Sequence, residues 1–245
     1  MSEHVQSTIE NHILTIRLCR PQKKNAFTEA MYGAGRDAFI EAANNTDIHA
    51  VLFCADGDFS AGNDLQDFLA NPPKGESATV FQFMLAMRRC PVPIVAAVSG
   101  FAVGIGTTLL LHCDFAYAAD NTVFSLPFVK LALLPEFASS MLLPQRAGHL
   151  KAAELILLGD NFDAPTAISA GLITAMCLPE ALDNTAAATC KRLAKTPRDV
   201  LIQTKALLRR DPESVEDRIT YESQEFLKAL GSDNAKAAFT AILTK

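Results

Sequence analysis

An α/β fold is predicted for this chain, built from recurring strand-strand-helix units and followed by a helical last third. Three observations carry that prediction. Two apolar runs, 50–55 and 93–98, each lead into a small-residue turn that opens a helical pattern, at 58–65 and at 100–106; buried parallel strands feed crossovers in this way. Residues 5–19 alternate roughly as a strand pair does, and from Lys151 onward strand signals nearly vanish in favour of Ala-rich amphipathic segments.

The elements follow in order. Residues 5–19 read as two strands around a turn at Asn11 and His12, and 28–44 as a helix capped by Thr28 with Met31, Ala34, Ala38 and Phe39 apolar. A strand returns at 50–55. Residues 70–77, with Pro72, Pro73 and Gly75, read as a mobile loop; 80–87 is a helix whose aromatic and Met residues face the core or line a pocket. The unit then recurs as strand 94–98, helix 104–112 and strands 114–119 and 122–125, giving a repeating sheet with helical crossovers. Helices at 151–158, 181–194, 198–209, 213–230 and 233–243 complete the chain, punctuated by Pro197, Pro212 and Gly231. The expected organisation is a core over 1–190 and a helical region over 191–245.

Bulk properties narrow the function classes. A chain of 245 residues with 49% hydrophobic residues can bury a substantial core. Its net charge is −5, and its cationic residues are dispersed, which disfavours a nucleic-acid partner. The six cysteines form no CxxC pair and sit mostly in apolar stretches, as expected of small hydrophobes in a reducing compartment. Residues 90–113 carry no charged side chain, but Pro91, Pro93 and several glycines make them a strand, turn and buried helix rather than a membrane span. No targeting pattern is recognisable at either end, so the expected location is cytoplasmic.

The two turns suggest chemistry. Gly62, Gly104 and Gly106 let the backbone approach a ligand closely, and free N–H groups at the start of a helix attract developing negative charge. Either turn alone is adequately explained by packing; the pair can build an oxyanion hole for a bound carbonyl.

These turns belong to a wider pattern: Arg20-Pro21 with Asn25-Ala26, Phe59-Ser60-Ala61-Gly62-Asn63-Asp64-Leu65, the glycine turn 100–106, Cys113-Asp114, and Gly159-Asp160 with Ala170-Gly171-Leu172. Over nearly its whole length the chain resembles the enoyl-CoA hydratase/isomerase, or crotonase, superfamily. The resemblance implies a spiral of ββα repeats with a C-terminal helical trimerisation region, assembled as trimers or paired into hexamers. It implies that the N–H groups of Ala61 and Ile105 hold an acyl-CoA thioester oxygen, and that Ser60, Ala61, Gly62, Asn63, Asp64 and Leu65 line the path of the coenzyme A moiety. Gly104 borders that path, and Lys24, Asn25 and Ala26 are weaker candidates for it. Coenzyme A enters as part of the substrate, with no prosthetic group.

The departures from the family are equally informative. Hydratases of the family carry a glutamate where this chain has Thr108, and a second where it has Phe128 after Pro127. Adding water across a double bond needs a base for water and an acid for C2, and both are gone. What remains is Pro135-Glu136-Phe137-Ala138-Ser139-Ser140, which resembles the Pro-Glu-x-x-Ser-Ser segment of peroxisomal-type Δ3,Δ2-enoyl-CoA isomerases, whose glutamate is the catalytic base. Isomerisation needs one carboxylate only, taking a proton from C2 and returning it at C4. Apolar neighbours Leu133, Leu134, Phe137 and Ala138 predict a desolvated Glu136 with a raised pKa. The alternatives are a hydratase or other acyl-CoA lyase with its proton carriers elsewhere, and a non-catalytic acyl-CoA-binding module.

Phe68, Phe81, Met84, Phe128 and Phe137 are candidates for the acyl pocket wall. The run His112-Cys113-Asp114 invites a metal or triad reading, but neighbours at a helix end do not converge on one point. No metal is expected, and the glycine turn lacks the third glycine of a dinucleotide fingerprint.

Overall fold

The alternating N-terminal segment forms strands β1 (Val5–Glu10) and β2 (Ile13–Leu18), antiparallel around Asn11 and His12, both at positive φ. The protein is described here by a computed structural model covering residues 3–211 and 213–243, so Pro212, expected to break a helix, lies outside the described residues. Helix α1 (Glu29–Asn44) begins where the Thr28 side chain accepts from the Met31 N–H, satisfying one of the orphan donors of its first turn. Strand β3 (Ala50–Ala55) returns parallel to β2, and helices α2 (Leu65–Ala70) and α3 (Thr79–Arg89) flank the 70–77 loop.

Strand β4 (Ile94–Val98) is buried at every position, as a central parallel strand covered on both faces must be. After it come β5 (Phe101–Val103), α4 (Ile105–Thr108), a 3-10 turn (Leu109–His112), β6 (Phe115–Ala119) and β7 (Val123–Ser125). The remainder is α5 (Ser139–Ala147), α6 (His149–Ala153), β8 (Asn161–Phe162), α7 (Ala164–Ser169), β9 (Ala175–Cys177), α8 (Leu182–Ala194), α9 (Arg198–Leu208), α10 (Val215–Leu230) and α11 (Asp233–Leu243).

Two sheets result, and this corrects the expectation of one repeating sheet. The larger has the order β1-β2-β3-β4-β6-β9, parallel beyond β2, while β5, β7 and β8 form a separate three-stranded sheet. Strands 115–119 and 123–125 are consecutive in sequence yet pair in different sheets, so the chain steps from one layer to the other between them. The expected helix 104–112 is a short α-helix that tightens into the 3-10 turn. Strand structure also continues past Lys151, in β8 and β9.

The main core lies where α1 and α3 cover one face of the large sheet. Phe27, Tyr32, Phe39, Phe53, Phe59 and Phe83 pack there with ring centroids 4.9–6.1 Å apart, each adding interaction beyond its buried area. Helix α8 covers the opposite face, packing Leu182, Ala186 and Cys190 against Cys54, Val95, Ala97 and Ala119. The boundary expected at 190/191 therefore falls inside a helix that serves the core. All six cysteines are unpaired, and Cys54, Cys90, Cys113 and Cys190 are buried.

Polar ties hold α9. The Arg198 guanidinium donates to the carbonyls of Ala42, Ala43 and Ile48, and buried Lys205 donates to the Val92 carbonyl and pairs with Asp114 at 2.6 Å. Removing one partner of such a buried pair costs roughly 3–5 kcal/mol. Helix α10, by contrast, leaves Val215, Ile219, Phe226 and Leu227 well exposed.

Candidate active site

The two small-residue turns come together because glycine permits it. A Cβ on Gly62, whose φ is +90°, would stand 3.0 Å from the Val103 carbonyl oxygen, and one on Gly106 would stand 2.8 Å from that of Ser60. Ser60 bridges to Ala102 of β5, so the first turn is laid directly on the strand leading into the second.

The hydrogen bonds decide which backbone donors remain. The Ala61 N–H donates to the Lys24 carbonyl at 2.8 Å, and that of Gly62 to the Ser60 hydroxyl at 3.1 Å. This corrects the expectation of a free donor at Ala61: its N–H is spent in holding the 20–27 loop against the turn. Among the described residues, the N–H groups of Asn63 and Ile105 donate to no protein acceptor. Ile105 opens α4, where the first N–H groups have no intrahelical partner. Two donors from adjacent turns are thus available, one of them two positions later than the sequence suggests.

Several expected ligand-path residues are tied into the fold by their side chains. The buried Asn25 side chain accepts from the Arg20 N–H and donates to the carbonyls of Asp56 and Asp58. The Ser60 hydroxyl donates to the Asn25 carbonyl. Asp64 caps α2 by accepting from the N–H groups of Gln66 and Asp67 and pairs with Arg20 at 2.7 Å, which holds its carboxyl below the usual range. Lys24 and Leu65 are exposed beside the turns, Ala26 is half-buried, and the Lys24 ammonium lies 3.9 Å from the centre of the Phe101 ring.

Glu136 reaches the same place from the segment before α5. Its Oε1 accepts from the Thr108 hydroxyl at 2.5 Å, while Oε2 is shut off from solvent with no hydrogen-bond partner. Burial raises its pKa to about 7, against a smaller lowering by the Thr108 hydroxyl. Thr108 is thus the hydroxyl that orients the Glu136 carboxylate. The backbone is unusual too: Phe137 and Ala138 both take positive φ. Tyr32, whose hydroxyl donates to the Asn63 side chain, was not singled out from sequence; it reads as a core residue of α1 until the turn is folded against it.

A cavity of about 390 Å³ lies among α1, α2 and α3, lined by Tyr32, Phe68 and Val80, and another of about 510 Å³ lies between α3 and α5. Of the expected wall residues, Phe81, Met84 and Phe137 meet in the second cavity, Phe68 lies in the first, and Phe128 is packed in the core. The run 112–114 disperses: the His112 ring turns to the Phe137 carbonyl, the Cys113 thiol to the Leu109 carbonyl, and Asp114 to Lys205 and Arg209.

Comparison with known proteins shows the family. The sequence model of the enoyl-CoA hydratase/isomerase family matches residues 8–243. The chain is 33% identical to the 1,2-epoxyphenylacetyl-CoA isomerase of Escherichia coli K12, over 80% of this chain and 78% of that one. It is 34% identical to enoyl-CoA delta isomerase 2 of Rattus norvegicus, over 93% of this chain but 60% of that longer protein. A solved enoyl-CoA hydratase/carnithine racemase candidate from Magnetospirillum magneticum AMB-1 superposes with a TM-score of 0.97 at 40% identity, covering 100% of this chain and 97% of that one. With the paired turns, the two layers of strands and the helical last third, these matches place the chain in the enoyl-CoA hydratase/isomerase family of the crotonase superfamily.

Proposed function

We propose that the protein is an enoyl-CoA delta isomerase, moving a double bond from C3 to C2 of an acyl-CoA thioester. The observation that carries this reading is Glu136, a single enclosed carboxylate with one oxygen oriented by Thr108 and the other unpartnered. The N–H groups of Asn63 and Ile105 polarise the thioester carbonyl. Glu136 takes a proton from C2, the carbon between that carbonyl and the double bond, and the resulting dienolate places its negative charge on the oxygen facing the two donors. The protonated Glu136 returns the proton at C4, leaving the double bond conjugated with the thioester.

A pKa near 7 suits both halves of that exchange, since the group is a competent base when ionised and a competent acid once protonated. No second carboxylate is required, in keeping with Thr108 and Phe128 at the two hydratase positions. Coenzyme A enters with the substrate, and the reaction needs no prosthetic group. Among the described residues, no helix is long and apolar enough to cross a membrane.

The test is a product profile for 3-enoyl-CoA and 2-enoyl-CoA substrates of graded acyl length. Isomerisation without uptake of water supports the reading. Hydration of the 2-enoyl ester with no isomerisation of the 3-enoyl ester overturns it in favour of a hydratase, and binding with no turnover in favour of a non-catalytic acyl-CoA-binding module.

The assembly belongs to the same proposal. The bare apolar face of α10, with Phe226 and Leu227 each 66% exposed, is suited to a neighbouring copy in a homotrimer or a hexamer. Sedimentation equilibrium is expected to give three or six times the 26.4 kDa chain mass, and a monomer at micromolar concentration contradicts it.

A further inference from the structure

The segment carrying Glu136 does not hold its own shape. Phe137 and Ala138 take φ of 55° and 56°, a left-handed conformation that is costly for a non-glycine residue; two in succession persist only where the surroundings over-determine them. Part of the restraint is local, because the Ser139 N–H and hydroxyl both donate to the Glu136 carbonyl. The rest comes from the 3-10 turn after α4. The Nε2 of His112 lies 2.8 Å from the Phe137 carbonyl oxygen, and its ring stacks on the Phe137 ring with centroids 3.8 Å apart.

We propose that His112 is a positioning residue for Glu136, fixing the carboxylate by clamping both the carbonyl and the ring of the next residue. One short stretch then supplies the donor at Ile105, the hydroxyl at Thr108 and the clamp at His112, so oxyanion site and base are referenced to the same backbone. The partner of Nε2 is a carbonyl, which requires the proton on that nitrogen. The charged groups facing the ring are cations from elsewhere in the fold: Arg88 of α3, Arg146 of α5 and Arg209 just after α9, whose guanidinium also donates to the His112 carbonyl. Burial pushes the His112 pKa down to about 4, against the hydrogen bond to the Phe137 carbonyl and with smaller help from these cations, so the ring is neutral while Glu136 titrates.

This inference rests on Glu136 being the base, and the experiment separates the two. His112→Leu keeps the bulk and removes the donor; His112→Gln keeps an Nε2 donor. Relative to wild type, the Leu variant is expected to lose roughly 10- to 100-fold in kcat, as misplacement of about 1 Å can, with KM within about twofold. In a carbon-13 titration of labelled glutamate side chains, its Glu136 signal is expected to move below the wild-type midpoint as the loosened carboxylate reaches water. The Gln variant is expected to recover most of both. A Leu variant with wild-type kcat and midpoint overturns the proposal, as do Leu and Gln variants equally slowed with the midpoint unmoved. Should the Leu variant fail to fold, His112→Asn, whose amide is one methylene shorter than that of Gln, takes its place against His112→Gln under the same criteria. The titration is independent of turnover. Isomerisation surviving Glu136→Gln would sink the base reading, whereas loss of turnover there with an unaffected His112→Leu variant would sink the clamp alone.

Discussion

Glu136→Gln is expected to reduce isomerisation by about two to four powers of ten while leaving acyl-CoA affinity within about twofold. The amide keeps the shape, and its oxygen still accepts from the Thr108 hydroxyl, but it cannot take a proton from C2. Binding and chemistry should therefore separate. In the wild type, kcat/KM should fall as pH drops through about 7, because burial places the Glu136 titration there and only the ionised form is a base. With a C2-deuterated 3-enoyl substrate, part of the label should reappear at C4, since one carboxylate shielded from water carries it across. A wild-type rate in the folded Gln variant would move the base elsewhere and remove the main support for an isomerase.

Ile105→Pro tests the oxyanion site with little collateral change. Ile105 is the first residue of α4, the position where proline fits a helix best because its missing N–H has no intrahelical acceptor. The residue before it is Gly104 at φ 55° and ψ −117°, a mirror-image extended conformation that stays clear of the helical region proline forbids to its predecessor. The substitution removes one donor, and roughly two to three powers of ten in kcat should go with it. Ile105→Ala, which keeps the N–H and shortens the buried side chain, controls for packing. Equal rates in the Pro and Ala variants, with both folded by circular dichroism, would take Ile105 out of the site.

Much of this site was legible in the chain, though partly for the wrong reasons. The donor at Ile105 was readable because a glycine turn opening a helix leaves N–H groups bare whatever packs around it. The donor at Asn63 was not: choosing between Ala61 and Asn63 depends on where the Lys24 carbonyl lies, and that loop is far away in sequence. Glu136 was expected to be desolvated by Leu133 and Leu134, yet these are 45% and 85% exposed. Its enclosure comes from long-range packing, with Thr108 placed on Oε1 by a separate helix. Strands β8 and β9 span two and three residues, too few to leave an alternation to recognise. The sequence offers His112 no metal-binding partner, and nothing local in it reveals that its ring meets a phenylalanine 25 positions on.

The unpartnered Oε2 of Glu136 makes the folded protein less stable with this carboxyl group ionised than with it protonated. Glu136 binds a proton with a pKa near 4.5 in the unfolded chain and about 7 in the folded one, so between these values the folded state holds more protons. Stability from this group is thus greatest below about pH 4.5, declines as pH rises toward 7 and stays low above it, by about 3 kcal/mol in all. On the proposed mechanism, turnover follows the opposite course. The proposed mechanism needs an ionised group in a place that resists ionisation, and at pH 8 the Glu136→Gln variant should outlast the wild type on heating, while at pH 5 the two should melt nearly together.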